Sequence, residues 1–448
     1  MIHEQPLVLD PHGGDRDAEH AELRRRGPLT RVDVLGVTAW SVSEPALLKR
    51  LLTDPRLSKD ARRHWPLFPD RIVGTWPLAH WVGVSNMFTA HGADHRRLRR
   101  LVAPAFSVRR IEALAPHIEA ITDDLLSDLA TAAAGADTDT GTGAESPPGT
   151  GAAAGTGAAA GSGPGREPVD LRELFAFPLP IRVISLLMGL PDHLRDAFRS
   201  SVDGVFDTTL DADRAAANMR DLYGVLGSLI EIKRAEPADD LTSALIATRD
   251  TEGDGGRLAE QELLDTLLLV VSAGYETTVN LLDQAVTALL GHPGQLGLLR
   301  TGRVSWDQAV EEVLRFQSPI AHVPLYYAVE DIPAGEGGAT IRAGEAVLPS
   351  YGAASRHPGV HGDTADAFDI TRDHKDHLAF GHGAHYCIGA PLARLEAGIA
   401  LPRLFARFPE LALATPARSL PPLPSLIANG HQRLPVLLHG RPGPATTD

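Results

Sequence analysis

Apolar residues recur at three- and four-residue spacing along most of the chain, the period of a helix with one buried face. This spacing predicts helices over 19–26, 45–52, 95–102, 111–129, 171–190, 193–206, 214–234 and 306–316. Alternating or β-branched runs are few and short. They place strands at 32–34, 39–42 and 323–329, and a hairpin within 332–347, where Gly335, Gly337, Gly338 and Gly344 supply turns. The longest pattern, 258–290, contains no proline, and Gly291 followed by Pro293 ends it. A helix of that length is roughly 45–50 Å long, enough to cross a domain. Its stretch 266–271 is apolar all round, as in a buried helix. Ser272, Ala273, Gly274, Tyr275, Glu276, Thr277 and Thr278 follow. Gly274 costs about 1 kcal/mol relative to alanine there, and a buried carboxylate needs partners. A kink beside a solvated groove and a polar site where a ligand meets the helix backbone explain this stretch equally well. The pattern is mainly α with a minor β portion.

One segment breaks the pattern. Residues 131–165 are almost entirely Ala, Gly, Thr, Ser, Pro and Asp, with nothing to bury, so a flexible insertion is expected within a single domain covering 1–448. Asp139-Thr140-Gly141 and the glycines at 155–161 imitate catalytic motifs, but no strand and helix flank them as a phosphate loop requires. The 43% hydrophobic and 22% charged composition is that of a globular protein. A net charge of −15 argues against nucleic acid as a partner. The single cysteine forbids an intramolecular disulfide and fits a reducing compartment. No leader pattern and no apolar run of spanning length is present, so a cytoplasmic protein with no membrane association is expected.

That cysteine, Cys387, lies in Phe380-Gly381-His382-Gly383-Ala384-His385-Tyr386-Cys387-Ile388-Gly389. A lone cysteine is more often an inert buried residue than a ligand. Here three glycines allow the backbone to fold tightly around the sulfur, and 390–396 reads as the start of a helix, whose N-terminus favours a thiolate. One cysteine without a second cysteine or a histidine pair cannot build a zinc or iron–sulfur site. A metal held by one thiolate takes its other ligands from a macrocycle, which points to haem.

With these motifs the chain resembles the bacterial cytochromes P-450, actinomycete type, over nearly its whole length outside 131–165. The Phe-Gly-x-Gly-x-His-x-Cys-x-Gly signature is complete. Ala273-Gly274-Tyr275-Glu276-Thr277 matches the family's Ala-Gly-x-Glu-Thr, and Glu312 with Arg315 matches its Glu-x-x-Arg. The resemblance implies a haem-thiolate monooxygenase containing haem b, with Cys387 as metal ligand. It takes one oxygen atom from O2 into a lipophilic substrate, with electrons coming from NAD(P)H through a ferredoxin and its reductase. Thr277 and Glu276 are implied as catalytic proton donors, and Ala273 and Gly274 as the surface that dioxygen approaches. Phe380, Gly381, Gly389 and His385 are implied around the haem, with His95, Arg99 and His385 on its propionates and Glu312–Arg315 as a buried pair. One position departs. Tyr326 begins Tyr-Tyr-Ala-Val-Glu-Asp where members read Arg-Tyr-Ala-x-Glu-Asp, and that arginine usually grips a propionate. Retention should then lean on His95, Arg99 and His385, and Tyr326→Arg should tighten haem binding.

Arg96, Arg97, Arg100, Arg109 and Arg110 crowd a short stretch of an acidic chain and form an expected docking surface for an acidic electron donor. By resemblance, 60–89 covers the pocket, offering Trp81, Met87 and Phe88. Phe206 adds a second lid, and Val323 with His322 and Pro324 faces the pocket from below. The substrate class is polyketide, macrolide or steroid-like, and the protein is expected to be a monomer. Two alternatives stay open: a haem-thiolate isomerase, dehydratase or peroxygenase, and a haem sensor.

Overall fold

The computed structural model describes residues 5–136, 167–251, 258–334 and 339–440. Its axis is the helix Glu260–Gly291, 32 residues long. Helices Pro178–Met188, Ala212–Ala235, Trp306–Phe316 and Ala390–Arg407 pack against it, so its apolar residues are buried on several sides. Pro293 both closes this run and opens the next helix, Pro293–Arg300, because proline is well suited to a first helical turn.

Most sequence-derived helices are present with shifted ends. The 111–129 pattern is two helices, Val108–Ala113 and Ala115–Ala136. The second runs six residues into the segment read as an insertion, carried by alanines of high helix propensity. The rest of that segment, with both motif imitations, lies outside the described residues. The 171–190 pattern breaks at Pro178 into a wide turn, Arg172–Ala176, and the helix Pro178–Met188, which stops at Gly189 with φ +69°, a left-handed cap. The 193–206 pattern becomes a short turn and the helix Arg195–Asp203, leaving Phe206 beyond the helix end.

The main sheet has six strands in the order Leu7–Val8, Leu29–Val34, Val37–Val42, Ala346–Pro349, Tyr326–Ala328 and Leu57–Ser58. Leu35 (φ 54°) and Gly36 (φ 86°) form its tight hairpin, in which Val34 faces Val37. The 332–347 pattern is divided: Ile332–Pro333 pairs with Thr340–Ile341, while Ala346–Pro349 joins the main sheet. At the sheet's edge Leu57 faces Ala328 and Ser58 faces Tyr327 in antiparallel register.

One buried acid ties the loop over the central helix in place. Asp265 accepts from the Ser85 backbone N–H at 2.5 Å, the Tyr223 hydroxyl at 2.6 Å and Gln261 at 2.8 Å. Asn86 donates to the Asp265 carbonyl at 2.8 Å. Met87 and Phe88 are thereby anchored to the helix they overhang. No helix among the described residues is long and apolar enough to cross a membrane.

Candidate functional site

The cysteine loop is shaped by two glycines with positive φ, Gly381 at 70° and Gly383 at 71°. A Cβ on Gly383 would lie 2.6 Å from the Leu52 carbonyl oxygen, so no other residue fits the turn. The Cys387 N–H donates to the Phe380 carbonyl at 2.9 Å. The helix Ala390–Arg407 starts immediately after the loop, and the N–H groups of Gly389 and Ala390 donate to the Cys387 sulfur. The sulfur borders an internal cleft. Burial raises the thiol pKa, and the two N–H groups, Arg99 and Arg394 only temper the rise. Burial and the helix N-terminus thus act on the thiol in opposite directions.

Across the cleft stands the central helix. Ala273, Gly274 and Thr277 line the same cavity as Phe380, Cys387 and Gly389, with Phe106, Ile184 and Leu281 closing its apolar sides. At Gly274 a Cβ would lie 2.5 Å from the Ile184 Cδ1, so a larger residue here would push the Ile184 side chain aside. The Thr277 hydroxyl donates to the Ala273 carbonyl at 2.7 Å, one turn back.

Glu276 does not share that cleft. It accepts from Arg172 at 2.9 Å and borders a separate cavity with Arg172, Arg199, Phe206 and Asp207. Arg172 also reaches Asp283 at 3.2 Å and Asn280 at 2.9 Å, and Asp283 meets His431 at 2.9 Å. Glu276, Asn280 and Asp283 lie four and three residues apart, on one helix face.

At the other end of the cleft, His95 and His385 have ring centroids 4.2 Å apart. Arg99 donates to the Tyr386 carbonyl at 2.8 Å, which joins helix Gly92–Val102 to the cysteine loop. His95 is buried and its Nε2 has no hydrogen-bond partner among the described residues. Burial and neighbouring cations lower the pKa of His95 to about 4 and that of His385 to about 2. A buried nitrogen without a partner, beside a cation and with no carboxylate bonded to it, suits an anionic ligand. The cysteine, the close glycines and this basic end together fit a haem with its propionates.

The substrate candidates separate. Trp81 packs edge-on to Phe206 at 5.1 Å and to Phe88 at 6.2 Å, forming one aromatic group. Met87 belongs to the main core, and Val323 packs on the sheet's cluster with Tyr326 and Tyr351. None of the five borders the Cys387 cavity. The placement of His322 below a pocket is corrected: it is fully buried, bonded to Ser350 and Glu19 at 2.9 Å each. Glu19, His20 and His322 bring ligand atoms within 4.8 Å of one another, but Arg16 pairs with Glu19 at 2.6 Å, a poor neighbour for a cation.

Glu312 and Arg315 are fully buried and joined by two bonds of 2.8 Å. Arg315 also donates to the carbonyls of Ala365 and Ala367, and Glu312 accepts from the Asp369 N–H. Of the five crowded arginines, Arg97 pairs with Glu262 and Arg110 with Asp239. Arg96, Arg100 and Arg109 are exposed and form no ion pair among the described residues.

Three site residues carry no signal in the sequence. They are Arg172, Glu396 and Lys59. Glu396 lines the Cys387 cavity fully buried, with neither oxygen bonded among the described residues and its pKa raised well above normal by burial. Lys59 is buried beside Phe88 and Tyr326.

The family model for cytochrome P450 matches residues 306–423. The chain is 40% identical over 438 residues to the 2-hydroxy-5-methyl-1-naphthoate 7-hydroxylase of Streptomyces carzinostaticus, covering 97% of this chain and 98% of that one. It is 36% identical over 427 residues to the 6-deoxyerythronolide B hydroxylase of Saccharopolyspora erythraea, covering 94% and 95%. Among solved structures, CYP154A1 of Streptomyces coelicolor A3(2) superposes with a TM-score of 0.85 at 57% identity, covering 97% of this chain and all of that one.

Proposed function

The chain belongs to the cytochrome P450 family and is a haem-thiolate monooxygenase, and from that premise we propose that it hydroxylates a lipophilic, polyketide- or macrolide-like molecule. The reading draws on relatives that act on a naphthoate and on 6-deoxyerythronolide B, and on the aromatic group of Trp81, Phe88 and Phe206. The observation that carries it is the shared cleft. Ala273, Gly274 and Thr277 border the same cavity as Cys387, more than a hundred residues away in sequence.

Bound there, haem supplies the binding and reductive activation of dioxygen. The chain supplies the rest. Cys387 holds the metal, and the Gly389 and Ala390 N–H groups temper the charge on its sulfur. Gly274 and Ala273 keep the facing helix surface low. The Thr277 hydroxyl is held on the Ala273 carbonyl, and its oxygen accepts and passes a proton at the cleft wall. Glu276 faces the second cavity, so it carries protons only by turning away from Arg172. His95, Arg99 and His385 hold the propionates. Electrons arrive from NAD(P)H through a ferredoxin and its reductase, with the ferredoxin docked against Arg96, Arg100 and Arg109.

The test is turnover with a ferredoxin, its reductase and NAD(P)H under isotopically labelled dioxygen. Candidate substrates are first selected from a lipophilic library by their shift of the haem spin state. Labelled hydroxyl in the product is the expected result. Label arriving from water, or NAD(P)H oxidation that no substrate accelerates, would refute the reading.

A further inference from the structure

Lys59 follows the edge strand Leu57–Ser58. It is 2% exposed, and among the described residues its ammonium makes one hydrogen bond, to the Pro324 carbonyl at 2.8 Å. The same ammonium stands 3.7 Å from the Phe88 ring centre and 4.5 Å from that of Tyr326. It forms no ion pair among the described residues. An ammonium has three N–H donors, so two remain without a hydrogen-bond acceptor, and a buried charge without a partner is costly. Burial accordingly holds its pKa well below the usual lysine range.

The rings beside it lead to the histidine pair: Tyr326, over which the ammonium stands, packs edge-on to His385 at 5.9 Å, and His385 lies 4.2 Å from His95. Tyr326, on the neighbouring strand, turns its hydroxyl to Tyr351. The strand register extends this relation. Leu57 faces Ala328 and Ser58 faces Tyr327, so the next step sets Lys59 opposite Tyr326. That is the position where the family resemblance leads one to expect an arginine.

We propose that Lys59 binds a haem propionate, its buried ammonium taking over, from across the strand pair, the charge that Tyr326 lacks. The inference rests on the haem reading above. It revises the expectation for Tyr326→Arg, because an arginine there sets a second cation against Lys59 and does not tighten haem binding in the wild-type background.

The experiment measures haem transfer from the holoprotein to apomyoglobin, together with the melting temperature of the haem-free protein. Lys59→Met should release haem about tenfold faster or more, since charge-assisted bonds are about twice as strong as neutral ones. It should also raise the melting temperature of the haem-free form, because a buried polar group with unsatisfied donors has been replaced by an apolar side chain. Adding Tyr326→Arg to Lys59→Met should restore slow release. Release at the wild-type rate from Lys59→Met would overturn the proposal. So would a fall in haem-free stability that matches the faster release, which would mark Lys59 as a strut for the Pro324 carbonyl. A wild-type protein that holds no thiolate-ligated haem would instead overturn the haem reading, and this inference with it.

Discussion

Glu276 and Thr277 are adjacent in sequence and face different cavities, because successive helix residues point about 100° apart. Thr277 borders the Cys387 cleft, while Glu276 is held by Arg172 at 2.9 Å on another side of the helix. In the proposed mechanism the two residues therefore act in different steps. Thr277→Ala should leave haem content unchanged and divert reducing equivalents to hydrogen peroxide, since a positioned proton donor is worth about 10²–10⁴-fold in rate. The ratio of product to NAD(P)H consumed reports this, and an unchanged ratio would remove Thr277 from proton delivery. At the same scale, Cys387→Ala should abolish the red-shifted absorption of the reduced carbon monoxide complex. A variant that kept it would need another ligand, and no second cysteine exists.

Between elements, two acids on helix Trp306–Phe316 secure the cysteine region differently. Glu311 bonds His377 at 3.1 Å and Arg394 at 2.6 Å, linking the chain before the cysteine loop to the helix after it. Burial alone would raise its pKa, but these two partners outweigh it and bring it to about 2 from the usual 4.5. The folded state thus binds its proton later than the unfolded state does. The stability it contributes is complete above about pH 4.5 and is lost as the pH falls toward 2. Glu311→Gln should flatten the loss of stability in that window, as read by denaturant melts across pH; equal slopes for variant and wild type would show that the link is energetically silent. Glu312 is different because both it and Arg315 are fully buried. Glu312→Gln leaves the guanidinium without its counter-charge and should cost about 3–5 kcal/mol, measured by the same melts. A change within error would mean that the carbonyls of Ala365 and Ala367 suffice to hold Arg315.

Over the whole molecule, a net charge of −15 surrounds a small basic area. Arg97 and Arg110 are already paired, whereas Arg96, Arg100 and Arg109 form no ion pair among the described residues and are the surface proposed above for an acidic partner. Reversing these three to glutamate should raise the KM for an acidic ferredoxin by roughly tenfold or more at low salt. The difference should shrink as added salt screens it. The carbon monoxide spectrum serves as the control for an intact site, and an unaltered KM would move the docking surface elsewhere.

The sequence by itself determined the family and the helical architecture, and it singled out the proposed metal ligand and the polar stretch on the central helix. Those rest on local chemistry: apolar period sets helices, glycines permit the turns at 381 and 383, and a single cysteine leaves one choice of ligand. Glu312 and Arg315 were legible for the same reason, since residues three apart share a helix face. Only the tertiary structure decided which charges meet. Arg172 finds Glu276 and Asp283 from 104 and 111 residues away, and Lys59 comes opposite Tyr326 through a strand pairing that no local pattern announces. It also decided that His322 faces Glu19 and Ser350. Desolvation and long-range ion pairing depend on what surrounds a side chain in space, and that environment is assembled from segments far apart along the chain.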